Sequence, residues 1–203
     1  MKTLEIQLFN FEELSKESKE NAIQQIEGTR DYFYIWDESY QTVKKFNYIF
    51  DLKEGYNSWL NYQSNFDENI ENLKGLRLRK YILNNYFNSL YKGKYYSTSG
   101  YFDDKNKYHY KKRYSKCQFE NCCVLTGLCY DDDILKPIYE LIEYKKENRQ
   151  YLDNINIYDI FNSCFDNLKN SIENEIQYNE SKEGIIEHII SNDINFLSTG
   201  QIY

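Results

Sequence analysis

The chain has 203 residues and a mass of 24.7 kDa, with 41% hydrophobic and 18% aromatic residues. That much ring surface (22 Tyr and 12 Phe beside one Met) excludes a disordered polypeptide, and the single Pro excludes a proline-rich linker. A mean hydropathy of −0.81 and the lack of an 18-residue apolar run exclude a transmembrane helix, while a net charge of −7 leaves the partner open.

The opening, MKTLEIQLFNFEEL, has neither an uninterrupted apolar stretch nor a small-residue cleavage site. It does not read as a signal peptide, and the expected location is the cytoplasm. Five cysteines, an odd number in a chain this long, do not read as a disulfide framework. Within the opening, Leu4, Ile6 and Leu8 alternate with Glu5 and Gln7, which predicts a half-buried strand over 3–9. Ser15 as N-cap, Leu14 as staple and Gly28 as C-cap frame a helix with an apolar stripe of Ala22, Ile23 and Ile26.

Trp36, Tyr40, Val43, Phe46 and Phe50 recur at helical spacing over 35–54. Residues 55–65 read as turns, 66–73 as a short helix and 76–90 as a longer one ended by Gly93. Asp103–Asn106 is a hairpin turn between two tyrosine-rich strands, and 116–125 gives a third strand closed by Gly127. Three carboxylates, Asp131 to Asp133, open a helix running to about residue 148, where they suit the positive end of its dipole. Pro137 fits the first turns of that helix. Helices over 157–178 and 182–191 follow, the second capped by Ser181, and the chain closes on a hairpin turned at 198–200. The expected fold is one α+β domain over 1–203. A small antiparallel sheet, made of the N-terminal strand and the central meander, packs with amphipathic helices. The basic aromatic hairpin occupies 92–116 and the C-terminal helical part 131–192.

Charge is uneven along the chain. Residues 1–75 hold 8 basic and 14 acidic residues, 76–116 hold 11 and 2, and 117–203 hold 6 and 16. Two readings follow: the segments neutralise one another on folding, or an acidic and a basic face steer different partners. The acidic candidates for partner binding are Asp131, Asp132, Asp133, Glu140 and Glu143. The nucleic-acid or nucleotide candidates are Tyr108, Tyr110, Lys111, Lys112 and Arg113, where rings could stack bases and cations meet phosphates.

Cys117, Cys122, Cys123 and Cys129 are spaced C-x4-C-C-x5-C, unlike the separated close pairs of a zinc site. Adjacent cysteines on a strand would point to opposite faces, so one of Cys122 and Cys123 is expected in the core. Cys164 lies on an apolar helical stripe. No metal and no cofactor are expected. His109 could in principle pair with a nucleophile, but no motif orients it, and the familiar nucleotide-loop, hydrolase and metalloprotease motifs are absent from the sequence. A non-enzyme is the expectation.

Three stretches, FNFEELSKESKENAIQQ, FENCCVLTGLCYDDDILKPIYE and IIEHIISNDINFLSTGQIY, resemble a family of small phage and prophage proteins of uncharacterised activity, some of which carry the label of antitoxin in a toxin–antitoxin system. The opening pattern is matched by Phe11, Glu13, Leu14, Ser15, Lys19, Ala22 and Ile23. The centre is matched by Thr126, Gly127, Asp131, Asp132, Asp133, Ile134 and Leu135, and the end by Phe196, Gly200, Ile202 and Tyr203. These motifs look like folding signals. The resemblance implies a phage accessory protein in the cytoplasm of an infected bacterium. Its expected role is to bind and inhibit a defence component, with a CRISPR-Cas effector as the leading partner, by charge-complementary docking without catalysis. The alternative is a nucleic-acid or nucleotide binder, either an antitoxin-like regulator or a sponge for a signalling nucleotide, acting through the basic aromatic hairpin.

Overall fold

A computed structural model describes residues 5–96, 101–109, 116–143 and 154–203. The fold is α+β. In chain order the helices are α1 (Lys16–Glu27), α2 (Phe33–Phe50), α3 (Glu68–Glu71), α4 (Gly75–Leu90), α5 (Tyr130–Ile142), α6 (Ile157–Glu180) and α7 (Lys182–Ser191). The strands are β1 (Lys53–Glu54), β2 (Tyr62–Gln63), β3 (Lys92–Tyr96), β4 (Tyr101–Phe102), β5 (Tyr108–His109) and β6 (Lys116–Glu120). Among the described residues they form three separate antiparallel pairs, β1–β2, β3–β6 and β4–β5. No helix among the described residues is long and apolar enough to cross a membrane. The chain divides into two compact units, Met1–Asp37 with Asn170–Tyr203, and Glu38–Lys169.

The first unit joins the two ends of the chain. Ser15 caps α1 by accepting the Ser18 N–H at 3.1 Å. The apolar stripe of α1 (Ala22, Ile23, Ile26) packs with Ile185 and Ile189 of α7 and with Phe11, Leu14 and Phe196. A polar line on α1 holds the C-terminal hairpin: Ser18 Oγ, Asn21 Nδ2 and Gln25 Nε2 donate to the carbonyls of Ser198, Thr199 and Gly200 at 2.8, 3.2 and 3.3 Å. Residues three and seven apart share a helix face, so the sequence spacing alone aligns these donors. Gly200 sits at φ +83° with its ideal Cβ position 2.0 Å from the Ser18 carbonyl oxygen, so only glycine fits where hairpin and helix touch.

Residues 3 and 4 of the predicted N-terminal strand lie outside the described residues, and residues 5–9 form no strand. Among residues 5–9 only Phe9 pairs, through a bridge to Phe196 with backbone bonds of 2.9 and 3.0 Å, and Ile6 and Leu8 are exposed. Alternation buries a strand face only where a neighbouring strand supplies a ladder. Here the hairpin held by α1 offers a single bridge.

In the second unit a cluster of rings lies within a core that is otherwise aliphatic, with Leu78, Ile82, Ile134, Leu135 and Ile138 fully buried. Phe46 and Phe50 of α2 meet Phe161 of α6 at centroid distances of 5.7 and 5.1 Å, and Tyr62 of β2 stacks on Phe165 at 5.2 Å. Tyr139 satisfies its buried hydroxyl by donating to the Leu90 carbonyl at 2.7 Å, as a ring with a polar tip requires. The helix α4 stops at Leu90, and Gly93 lies within β3 instead of ending the helix. Strand β6 ends at Glu120, five residues short of the predicted end, because the chain turns at Cys123, where φ is +45°.

Helix α5 starts at Tyr130, so Pro137 falls beyond its first turns and removes the N–H that would bond the Asp133 carbonyl. The Asn167 side-chain amide on α6 donates to that same carbonyl. The α5–α6 contact thus repairs the defect that the proline makes. Replacing Asn167 by Ala should cost about 1–3 kcal/mol in urea unfolding. In a P137A background, where the helix supplies its own donor, the same change should cost clearly less.

Candidate functional site

The Asp131–Asp133 run is divided among three environments. Asp131 is 0% exposed. Its Oδ2 accepts the backbone N–H groups of Leu125, Thr126 and Gly127 at 2.9, 2.6 and 2.9 Å. Its Oδ1 accepts the hydroxyls of Thr126 and Thr42 at 2.6 and 3.0 Å. Five donors on one buried carboxylate replace water's solvation and tie the 125–127 loop and α2 to the start of α5. Asp131 therefore cannot meet a partner, which corrects its place among the acidic docking candidates. Asp133 is half-buried, whereas Asp132, Glu140 and Glu143 are exposed.

Asp132 turns toward the cysteines. Its Oδ1 accepts the Cys123 N–H at 2.8 Å, and its Oδ2 lies 3.6 Å from Cys122 Sγ and 3.8 Å from Cys123 Sγ. The two sulfurs are 3.6 Å apart. The expectation that adjacent cysteines diverge holds for a strand. Here β6 has already ended, and the positive φ of Cys123 swings both thiols to one side. Cys122 and Cys129 are exposed, Cys123 is half-buried and Cys164 is buried in the core. Burial first, then the hydrogen bond with Cys122 and the Asp132 charge, pushes the Cys123 thiol up to about 12. At neutral pH it is a protonated thiol and a poor nucleophile. The Lys92 ammonium donates to the Cys123 carbonyl at 2.9 Å and braces the turn from β3.

Within the basic aromatic hairpin the described residues are 92–96, 101–109 and 116. Asp103 Oδ1 accepts the N–H groups of Lys105 and Lys107 at 3.0 and 2.9 Å, and its Oδ2 lies 2.7 Å from His109 Nε2. The His109 contact, then the Lys107 amide, holds the Asp103 carboxyl below its ordinary range. His109 is thus engaged in building a turn. Phe102 and Tyr108 are exposed and meet edge to face at 4.9 Å. Tyr110, Lys111, Lys112 and Arg113 lie outside the described residues.

One feature had no sequence signal beyond its turn residues. An open groove of about 760 Å³ runs between residues 61–65 and α6, lined by Asn61, Gln63, Asn65, Asn162 and Asp166 among others. Lys169 reaches the Asn61 amide oxygen at 3.2 Å beside it. The cysteine–aspartate cluster does leave a trace, an Asn-Cys-Cys turn ending nine residues before Asp132, but it continues an alternating run and so has the pattern of a strand.

No family model, no curated protein and no solved structure matches the chain.

Asp131→Ala should destabilise the second unit by about 3–5 kcal/mol, since three backbone donors and two hydroxyls lose their acceptor at once. Urea unfolding followed by tryptophan fluorescence reads this. The exposed Glu140→Ala should change stability by less than about 0.5 kcal/mol.

Proposed function

We propose that this chain is a non-catalytic binding protein that docks on a basic surface of a bacterial antiviral defence component, with a CRISPR-Cas effector as the first partner to test. The observation that supports the reading is how charge divides between the compact units. Met1–Asp37 with Asn170–Tyr203 holds 5 basic and 14 acidic residues, a net of −9, whereas Glu38–Lys169 holds 20 and 18, a net of +2. The 14 carboxylates of that unit are spread over α1, α7, the end of α6, the start of α2 and the adjoining segments, whereas Asp131–Asp133 belong to the second, nearly neutral unit.

The same unit exposes aromatic rings. At the start of α2, Phe33 is 71% exposed and Trp36 42%, with Asp31 and Asp37 exposed alongside. Rings ringed by carboxylates suit a basic protein surface: the charges speed encounter and the rings supply area that leaves water on contact. A channel built for a polyanion offers that surface, and occupying it inhibits without making or breaking a bond. The phage setting is supported by the three-stretch resemblance alone.

Affinity for the purified effector should fall at least tenfold from low to high ionic strength. The F33A/W36A variant should lose affinity mainly through faster dissociation, and E27K/E180K/E183K mainly through slower association. Surface-plasmon measurements separate the two effects, and salt-independent binding would remove the charge argument.

A second reading has one observation of its own, the exposed Phe102–Tyr108 ring pair at the end of the basic hairpin. If that hairpin stacks bases, a K111E/K112E/R113E variant loses nucleotide binding while effector binding through the acidic unit is spared.

A further inference from the structure

Cys122, Cys123 and Asp132 converge at the solvent-facing edge of the second unit, and nothing in the docking function requires them to. Their donor atoms form a nearly equilateral triangle with edges of 3.6, 3.6 and 3.8 Å. A tetrahedral Zn²⁺ with Zn–S near 2.3 Å and Zn–O near 2.0–2.2 Å spaces its donors by about 3.5–3.8 Å, from the tetrahedral angle. The triangle has the size of one face of that tetrahedron before any ion enters.

We propose that Cys122 Sγ, Cys123 Sγ and Asp132 Oδ2 form a binding site for a thiolate-seeking divalent cation of the zinc class, with the fourth corner open to solvent.

Three features hold the donors in place. The Cys123 N–H engages Asp132 Oδ1 at 2.8 Å, which leaves Oδ2 turned to the sulfurs. Asp132 follows Asp131, whose five donors fix the 125–127 loop and the start of α5 together. Lys92 anchors the Cys123 carbonyl from the neighbouring strand. This is the outer-shell support that orients ligands in metal sites. The donor set also chooses the ion: two sulfurs and one carboxylate suit zinc over magnesium or calcium, which take oxygen ligands.

Binding exchanges two S–H bonds for two metal–sulfur bonds and releases the two protons to solvent, with no change of oxidation state.

The test uses the full chain, purified with reductant and freed of metal, and titrated with Co²⁺ as a spectroscopic stand-in for Zn²⁺. The expected result is saturation at one ion per chain, with a thiolate-to-cobalt charge-transfer band and visible bands of tetrahedral intensity. Zn²⁺ should displace the cobalt stoichiometrically, and Mg²⁺ in large excess should not. C122S and D132N should each weaken Zn²⁺ binding at least tenfold in competition with a chromophoric chelator, with unchanged far-ultraviolet circular dichroism. A wild-type titration without the charge-transfer band overturns the proposal, whatever the variants do. So does zinc affinity that is equal in wild type and in both variants. Neither result depends on binding of any defence protein, so this site and the docking reading fail separately.

Discussion

A buried negative charge organises the second unit. Asp131 has no contact with water, and a carboxylate in that position is tolerated only if protein groups replace its hydration. Three consecutive backbone N–H groups, from Leu125 to Gly127, and two threonine hydroxyls supply the replacement. The loop before α5 is thereby wrapped around the start of that helix and pinned to α2. Asp132, the next residue of the helix, is free to bind the cysteine turn instead. The central part of the sequence motif, Thr126-Gly127 followed by the aspartates, is this wrapped loop seen in one dimension.

The first unit rests on a different constraint, the joining of chain ends. Ser18, Asn21 and Gln25 line one face of α1 and bind three successive carbonyls of the terminal hairpin, while Ala22, Ile23 and Ile26 on another face pack with α7. The opening and closing segments of the chain thus hold each other. The charge that remains exposed on this unit is a consequence: its polar surface is left to glutamates with few cations, and a net of −9 has to be balanced by counterions or by a partner.

The proposed docking surface and the proposed cation site lie in different units and rest on different chemistry. The acidic unit offers charge and exposed rings; the second unit offers a preorganised thiol–carboxylate triangle. Neither proposal depends on the other.

Most helices were legible in the sequence because amphipathic spacing and caps are local. Ser15 and Ser181 cap α1 and α7 as read, the Asp103–Asn106 turn joins β4 to β5, and the Phe46, Phe50 and Phe161 positions face the core. Strand partnership was not legible, because alternation at residues 3–9 says which side would be buried but not whether a ladder exists to bury it. The three aspartates looked equivalent in sequence. Tertiary structure buried one, turned the second to the cysteines and left the third half-exposed, since three consecutive helical residues point some 100° apart and meet different neighbours. The convergence of Cys122 and Cys123 was likewise decided in three dimensions. It needs the early end of β6 and one residue at positive φ, and the ties that hold that turn come from Asp132 and Lys92, nine and thirty-one residues away.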